Sequence, residues 1–296
     1  MSGALFHTVF EVAAYELEAT LDSGQAFRWA RVGRGWEGVI GDRWVRVERV
    51  AAGLKVDTLL DPGEWSWLRN YLAIDLDPDA VAATFPPDAV LHEAVQVYRG
   101  LRVLRQDPWE CLASFILSST KQIVQIRQIV AMLARRFGRP VEVPAGRAPT
   151  FSFPSAADLA AADEAALRDC KMGFRAPYLL GTAREVAGGR LDLPGLSRQP
   201  LEVARAALME LPGVGRKIAD CVLLFGLGFS AAFPVDVWVL RVLRELYFPR
   251  RPPAPARLRR FSETHFGPFG GHAQQYLFHW RRHGGRVASA ATTAAQ

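Results

Sequence analysis

The sequence predicts an α+β protein: an N-terminal antiparallel β-sheet domain followed by a mostly α-helical domain pair. Three observations carry this prediction. Apolar residues recur at every second position between about 20 and 60, they recur every three or four positions beyond Pro62, and 296 residues with 50% hydrophobic content exceed what one core usually holds.

The N-terminal part is expected over residues 1–100, as a sheet with flanking helices. In RWVRVERV, residues 43–50, Trp44, Val45, Val47 and Val50 mix with Arg43, Arg46, Glu48 and Arg49, while Gly33, Gly35, Gly41 and Asp42 supply turns. The helical part is expected over 101–285. Leu112, Phe115, Ile116, Ser119, Ile123, Ile126, Val130 and Leu133 space as one central helix over 109–137, stopped by Gly138 and Pro140. Further helices are predicted at 156–169 behind a Ser155 cap, 176–187 ending at Gly188-Gly189, 200–210, 216–227, 237–247 and 271–282. The basic, proline-rich stretch PRRPPAPARLRR, 249–260, reads as an extended, exposed connection. The tail, 286–296, lacks the large apolar residues needed to pack and is expected to be disordered.

Charge and cysteine usage narrow the function classes. Lys and Arg total 36 against 30 Asp and Glu, a net +6, with pI near 9.5, which suits a polyanionic partner. Cys111, Cys170 and Cys221 are odd in number and far apart, so neither a disulfide framework nor a four-cysteine metal or cluster site can be built. No metal or cofactor is implied, and a reducing compartment is the natural reading. The first 20 residues lack a basic region before their apolar positions, which Glu11, Glu16 and Glu18 interrupt, so no signal peptide is read and an intracellular protein is expected, cytoplasmic and nucleoid-associated if prokaryotic. The run Cys221–Val235 contains Gly226, Gly228, Ser230 and Pro234 and falls short of the ~20 apolar residues that span a bilayer.

The chemistry is concentrated in LPGVGRKIAD, 211–220. Pro212, Gly213 and Gly215 spell a tight turn between two helices, a helix-hairpin-helix near 205–227 that aims backbone N–H groups at a phosphate with no side chain in the way. A plain αα-turn is the alternative. A nucleotide phosphate loop fits less well, because G-x-x-x-x-G-K-[ST] needs wider glycine spacing and a hydroxyl after the lysine, where Ile218 stands. Lys217 falls in a helix's first turn, an end that disfavours an ammonium, and a neutral amine is a nucleophile. Asp236, in FPVDVW, caps the next helix, and a connection this short can fold it towards Lys217.

Together, LPGVGRKIADCVLLFGLGFSAAFPVDVW (211–238), LDSGQAFRW (21–29), LRQDPWECLASFILSS (104–119), GFRAPY (173–178) and AQQYLF (273–278) resemble, in the same order, the helix-hairpin-helix Gly/Pro/Asp DNA glycosylases, best their 8-oxoguanine branch. The resemblance implies a bifunctional glycosylase and abasic-site lyase, acting as a monomer on duplex DNA that contains 8-oxoguanine. It makes Lys217 the nucleophile at C1′ and Asp236 the carboxylate that orients it. Cys221 and Phe278 would sandwich the flipped base, Gln274 would read its Watson–Crick edge, and the Gly24 carbonyl would accept the N7–H that guanine lacks. Gly213, Val214, Gly215 and Lys121 would contact DNA. The family's readers of the opposite base and its wedge correspond to Thr120, Gln125, Phe174 and Arg175; the residue types at Thr120 and Gln125 predict a weakened preference for cytosine, while Phe174 can still wedge into the stack. Trp238 stands where the family has a histidine on a phosphate. Two alternatives stay open: removal of another oxidised or alkylated purine, and a non-catalytic helix-hairpin-helix DNA-binding protein.

Overall fold

A computed structural model describes residues 5–119, 121–249 and 253–285. Thr120, residues 250–252 of the proline-rich stretch and the expected tail lie outside the described residues.

The N-terminal sheet has five antiparallel strands in the order β1-β5-β4-β3-β2: β1 Phe6–Glu11, β2 Ala30–Val32, β3 Gly35–Ile40, β4 Arg43–Val50 and β5 Gly53–Thr58. The period-two pattern puts Trp36, Val45, Val47, Leu54 and Val56 into one buried cluster, with Trp36 opposite Val47 and Val47 opposite Val56. Strand β1, which alternation over 20–60 does not include, closes the edge by pairing Phe10 with Leu54. Between β1 and β2 lies α1, Leu17–Asp22, followed by the loop Ser23–Gly24. Helices α2 (Ser66–Tyr71), α3 (Pro78–Ala82) and α4 (Ala89–Val97) complete this half. Asp77 and Asp88 cap α3 and α4 through their carboxylates.

The predicted central helix is two helices, α5 Pro108–Leu117 and α6 Ile123–Phe137. Ser118 turns its hydroxyl back to the Phe115 carbonyl at 2.7 Å, competing with the helical ladder. Gln122 and Gln125 then restart the helix by reciprocal capping. Apolar spacing continued through this break because both helices contribute side chains to the same core. A short hairpin, β6 Pro140–Val141 with β7 Thr150–Phe151, follows.

The predicted 156–169 helix also breaks, into α7 Ala156–Ala160, capped by Ser155 as expected, and α8 Glu164–Leu167. At Asp163 the backbone is extended, with ψ 140°. A π-turn, Arg168–Met172, with Lys171 at φ 61°, leads into α9, Ala176–Ala187, which ends at Gly188. Then come α10 Leu201–Met209, α11 Arg216–Phe225 and α12 Val237–Tyr247.

The expectation of an extended connection over 249–260 is overturned from Pro255 onwards: α13 spans Pro255–Thr264. Pro255 stands at the first helical turn, where a missing N–H removes no bond, and Leu258 and Ser262 are buried. The last helix, α14 Gly270–Arg282, packs on α4 and α12 around a second core that includes Leu91, Val242 and Tyr276. A third core joins α5, α6, α9, α10 and α11, with Phe115 stacked on Phe225.

Candidate active site

The hairpin is α10, a turn and α11. Val214 N–H closes the turn on the Leu211 carbonyl at 3.1 Å, and Gly213 takes φ 75°. A methyl group at Gly213 would lie 2.7 Å from Tyr178 Cβ and Cγ. Glycine is therefore required both for the left-handed conformation and for the close approach of α9. Val214 itself is buried and its N–H is used within the turn, whose exposed residues are Pro212, Gly213 and Gly215. Gly215 caps α11 in an extended conformation, with no side-chain cap on the first-turn amides of that helix.

Lys217 is in that first turn. Its Nζ donates to Ser118 Oγ at 3.0 Å and lies 5.1 Å from the Phe115 ring centroid. The break between α5 and α6 thus has a use: it presents Ser118 to Lys217. Sequence reasoning missed Ser118, although it is the last residue but one of the matching stretch LRQDPWECLASFILSS, 104–119. One turn along α11, Cys221 is 3% exposed. Burial pushes its thiol up to about 12, with Lys217 opposing and Asp236 adding to that effect. Lys217, Cys221 and Asp236 therefore share one electrostatic neighbourhood. Asp236 caps α12, accepting from Trp238 N and Val239 N at 2.9 and 2.8 Å, so the simple capping role is real and leaves its second oxygen available.

Behind Lys217, α11 is anchored by charge. Asp220, 4% exposed, accepts from Arg205 Nε on α10 at 2.7 Å and faces Arg216 Nε at 3.7 Å. Burial raises the Asp220 carboxyl despite Arg205. Arg205 also pairs with Glu202, and Arg216 with Glu263 of α13.

Of the predicted base-binding residues, Gly24 lies on the loop after α1, and Gln274 and Phe278 lie on α14, whereas Cys221 is on α11. Gly24 has φ 79°, and a methyl group there would lie 4.0 Å from Phe278 Cε1 and 2.7 Å from Ile123 Cδ1. Gln274, one turn before Phe278 and 5% exposed, has a buried side-chain oxygen with no hydrogen-bond partner among the described residues. Such an orphan acceptor costs about 1–3 kcal/mol unless a ligand supplies a donor. Close packing of Gly271 on Leu224 ties α14 to α11, and with it this group to Lys217.

The other predicted contacts are distributed around these two groups. Phe174 is 55% exposed, with the Arg175 guanidinium 4.2 Å from its ring centroid and Tyr178 edge-on at 6.4 Å. Arg175 is 3% exposed and donates to the Ser119 and Met172 carbonyls. Gln125 is exposed and its side-chain oxygen accepts from Gln122 N at 3.1 Å. Lys121 is half-buried. Trp238 is 48% exposed beside Asp236, with Arg241 5.2 Å from its ring centroid. Among the described residues no group of His, Cys, Asp and Glu could hold a metal ion. A concavity of about 600 Å³ between the sheet and α6 is lined by Trp29, Trp44, Arg127 and Phe151 and not by Lys217.

A family model described as HhH-GPD superfamily base excision DNA repair protein matches residues 113–268, more than half of the chain. The chain belongs to the HhH-GPD superfamily. Residues 8–112 of this HhH-GPD protein match the N-terminal domain of 8-oxoguanine DNA glycosylase. The chain is 30% identical to the N-glycosylase/DNA lyase OGG1 of Arabidopsis thaliana over 88% of its own length and 76% of the relative's. It superposes on the Clostridium acetobutylicum 8-oxoguanine glycosylase/lyase, solved with DNA containing cytosine opposite 8-oxoguanine, with a TM-score of 0.85, 30% identity and 91% and 92% of the two chains covered. For MBOgg1 with a low-affinity DNA ligand the TM-score is 0.88, at 32% identity and 97% and 98% coverage. No helix among the described residues of the HhH-GPD protein is long and apolar enough to cross a membrane.

Proposed function

We propose that this chain is a bifunctional DNA glycosylase and abasic-site lyase that excises 8-oxoguanine from duplex DNA, acting inside the cell as a monomer. The observation that carries the roles is that Lys217, held by Ser118, shares a neighbourhood with Cys221 and Asp236 directly behind the hairpin turn. An amine placed there is beside the DNA backbone that the hairpin grips.

In this reading the Lys217 amine attacks C1′, the glycosidic bond breaks, and the base leaves with the bonding electrons. Asp236 stabilises the positive charge that develops on the sugar, using the oxygen that does not cap α12. Loss of a proton from nitrogen and opening of the sugar ring give a Schiff base. Removal of a C2′ proton then expels the 3′ phosphate, which is strand scission. Gly24, Gln274, Cys221 and Phe278 bind the flipped base, and the orphan oxygen of Gln274 accepts one of its N–H groups. Phe174, exposed in the turn that leads into α9, fills the gap left in the duplex.

Borohydride trapping on an 8-oxoguanine duplex tests this. The native protein should give a covalent adduct, and Lys217→Gln should give none while binding the duplex as before, because the hairpin amides remain. An adduct from Lys217→Gln would assign the chemistry to another amine and overturn the reading.

A further inference from the structure

Gly24 belongs to a short run, Asp22–Gln25, whose other members are each held by side chains from elsewhere. The Asp22 carboxylate accepts from Arg127 of α6 at 2.6 Å, and its carbonyl faces Arg282 of α14 at 3.4 Å. Gln25, fully buried, donates to the Thr20 and Arg102 carbonyls at 2.8 Å each and accepts from Leu104 N at 2.8 Å. Its own carbonyl accepts from Gln106 at 2.6 Å.

Ser23 is 1% exposed. Its hydroxyl accepts from Gln275 Nε2 at 2.8 Å and from Gln25 Nε2 at 3.2 Å, and donates to the Thr20 carbonyl at 3.3 Å. Gln275 Nε2 also lies 3.4 Å from the Ser23 carbonyl. With both neighbours fixed and φ at 79°, the peptide carbonyl of Gly24 points one way before any ligand arrives.

Of these restraints, the Gln275 contact has a special origin. Gln275 is 2% exposed and follows Gln274 on α14, the helix that also carries Phe278. Residues 274 and 278 share one helical face, and 275 is turned about 100° from 274, towards the loop. The bond between Gln275 and Ser23 spans 252 residues of sequence. It links the element offering the backbone acceptor to the helix offering the edge reader and the stacking face.

We propose that Gln275 is a positioning residue for base recognition: its amide holds Ser23, and through it the Gly24 carbonyl, in register with Gln274 and Phe278. This rests on the reading of Gly24 as the acceptor of the N7–H of 8-oxoguanine. Nothing in the reaction at C1′ requires this link, so its loss affects recognition of the base and not the chemistry of Lys217.

The test compares two substrates of one protein: a duplex with 8-oxoguanine and a duplex with a preformed abasic site, which offers no base to read. In single-turnover assays Gln275→Ala should lose roughly 10-fold to 100-fold on 8-oxoguanine, the scale of one buried hydrogen bond with its partner left unsatisfied, while abasic-site incision is unchanged. Ser23→Ala cuts the same link from the other side and should give the same split, and the double variant should be no worse than the weaker single. Equal loss on both substrates in both variants would make the contact general scaffolding and overturn the proposal. Unaltered 8-oxoguanine excision in the two singles would also overturn it. A native protein that incises abasic sites yet leaves 8-oxoguanine in place would overturn the substrate reading, and the proposal with it.

Discussion

Replacing cytosine opposite the lesion by adenine, guanine or thymine should slow excision by only about 10-fold to 100-fold, the worth of one retained polar contact of ~1–3 kcal/mol. The structure limits the readers. Gln125 is exposed and its side-chain oxygen already caps its own helix through Gln122 N, and a neutral amide there cannot form the charged fork of an arginine. Arg175 is the remaining cation, and it is 3% exposed with its guanidinium directed at the Ser119 and Met172 carbonyls. Using it on a partner base means giving up hydrogen bonds it already has, so the net gain stays near that of a single contact. The assay is single-turnover excision from four duplexes that differ only in the base opposite 8-oxoguanine. A preference for cytosine well above ~1000-fold would require about 4 kcal/mol of discrimination, more than these side chains can supply, and would refute the reasoning.

Asp236→Asn retains the cap on α12 but loses the charge. It should bind lesion duplex normally and turn over at least ~100-fold more slowly in single-turnover excision; near-native turnover would return Asp236 to a capping role alone. Asp220→Asn leaves Arg205 buried with only the exposed end of Glu202 for compensation, so urea unfolding should show a loss of about 2–4 kcal/mol, whereas a loss below ~1 kcal/mol would mean that the pair is replaceable. Acid should destabilise the protein through two buried histidines. Burial, then Arg102 and Arg105, holds His272 down to about 4, and burial, then His283 and Arg282, holds His279 down to about 4. The unfolded chain takes up those protons near pH ~6.5. Their contribution is therefore complete above that value and is lost as the pH falls towards about 4. Urea titrations at pH ~7 and ~5 should differ by about 2–4 kcal/mol, and His279→Gln should remove part of the difference; stability that holds or rises on acidification would contradict this.

Much of this protein is readable without coordinates, because its signals are local. Alternation in RWVRVERV gives a strand whichever strand lies beside it, and it is β4. Ser155 and Asp236 cap helices through atoms of their own neighbours, and a Gly-x-Gly turn followed by a lysine brings Lys217 to a helix start regardless of the remaining chain. Helix α9 ends at Gly188 for the same reason.

Where the sequence misled, a local signal was overridden or hidden. Apolar spacing runs unbroken from α5 into α6 because both enter the same core, so it could not register the backbone break at Ser118 that supplies Lys217 with a partner. The prolines of 253–255 suggested an extended chain, yet a proline at a helix start costs nothing and Leu258 has a core to enter.

The remaining facts belong to the tertiary structure alone. Burial of the Cys221 thiol, the orphan oxygen of Gln274 and the hold of Gln275 on Ser23 at 2.8 Å all depend on how the helices pack, and the last joins residues 252 apart in sequence. Residue order determines which groups are available. Hydrogen-bond and electrostatic energies fall so steeply with distance and angle that only the packed arrangement decides which of them act on one another.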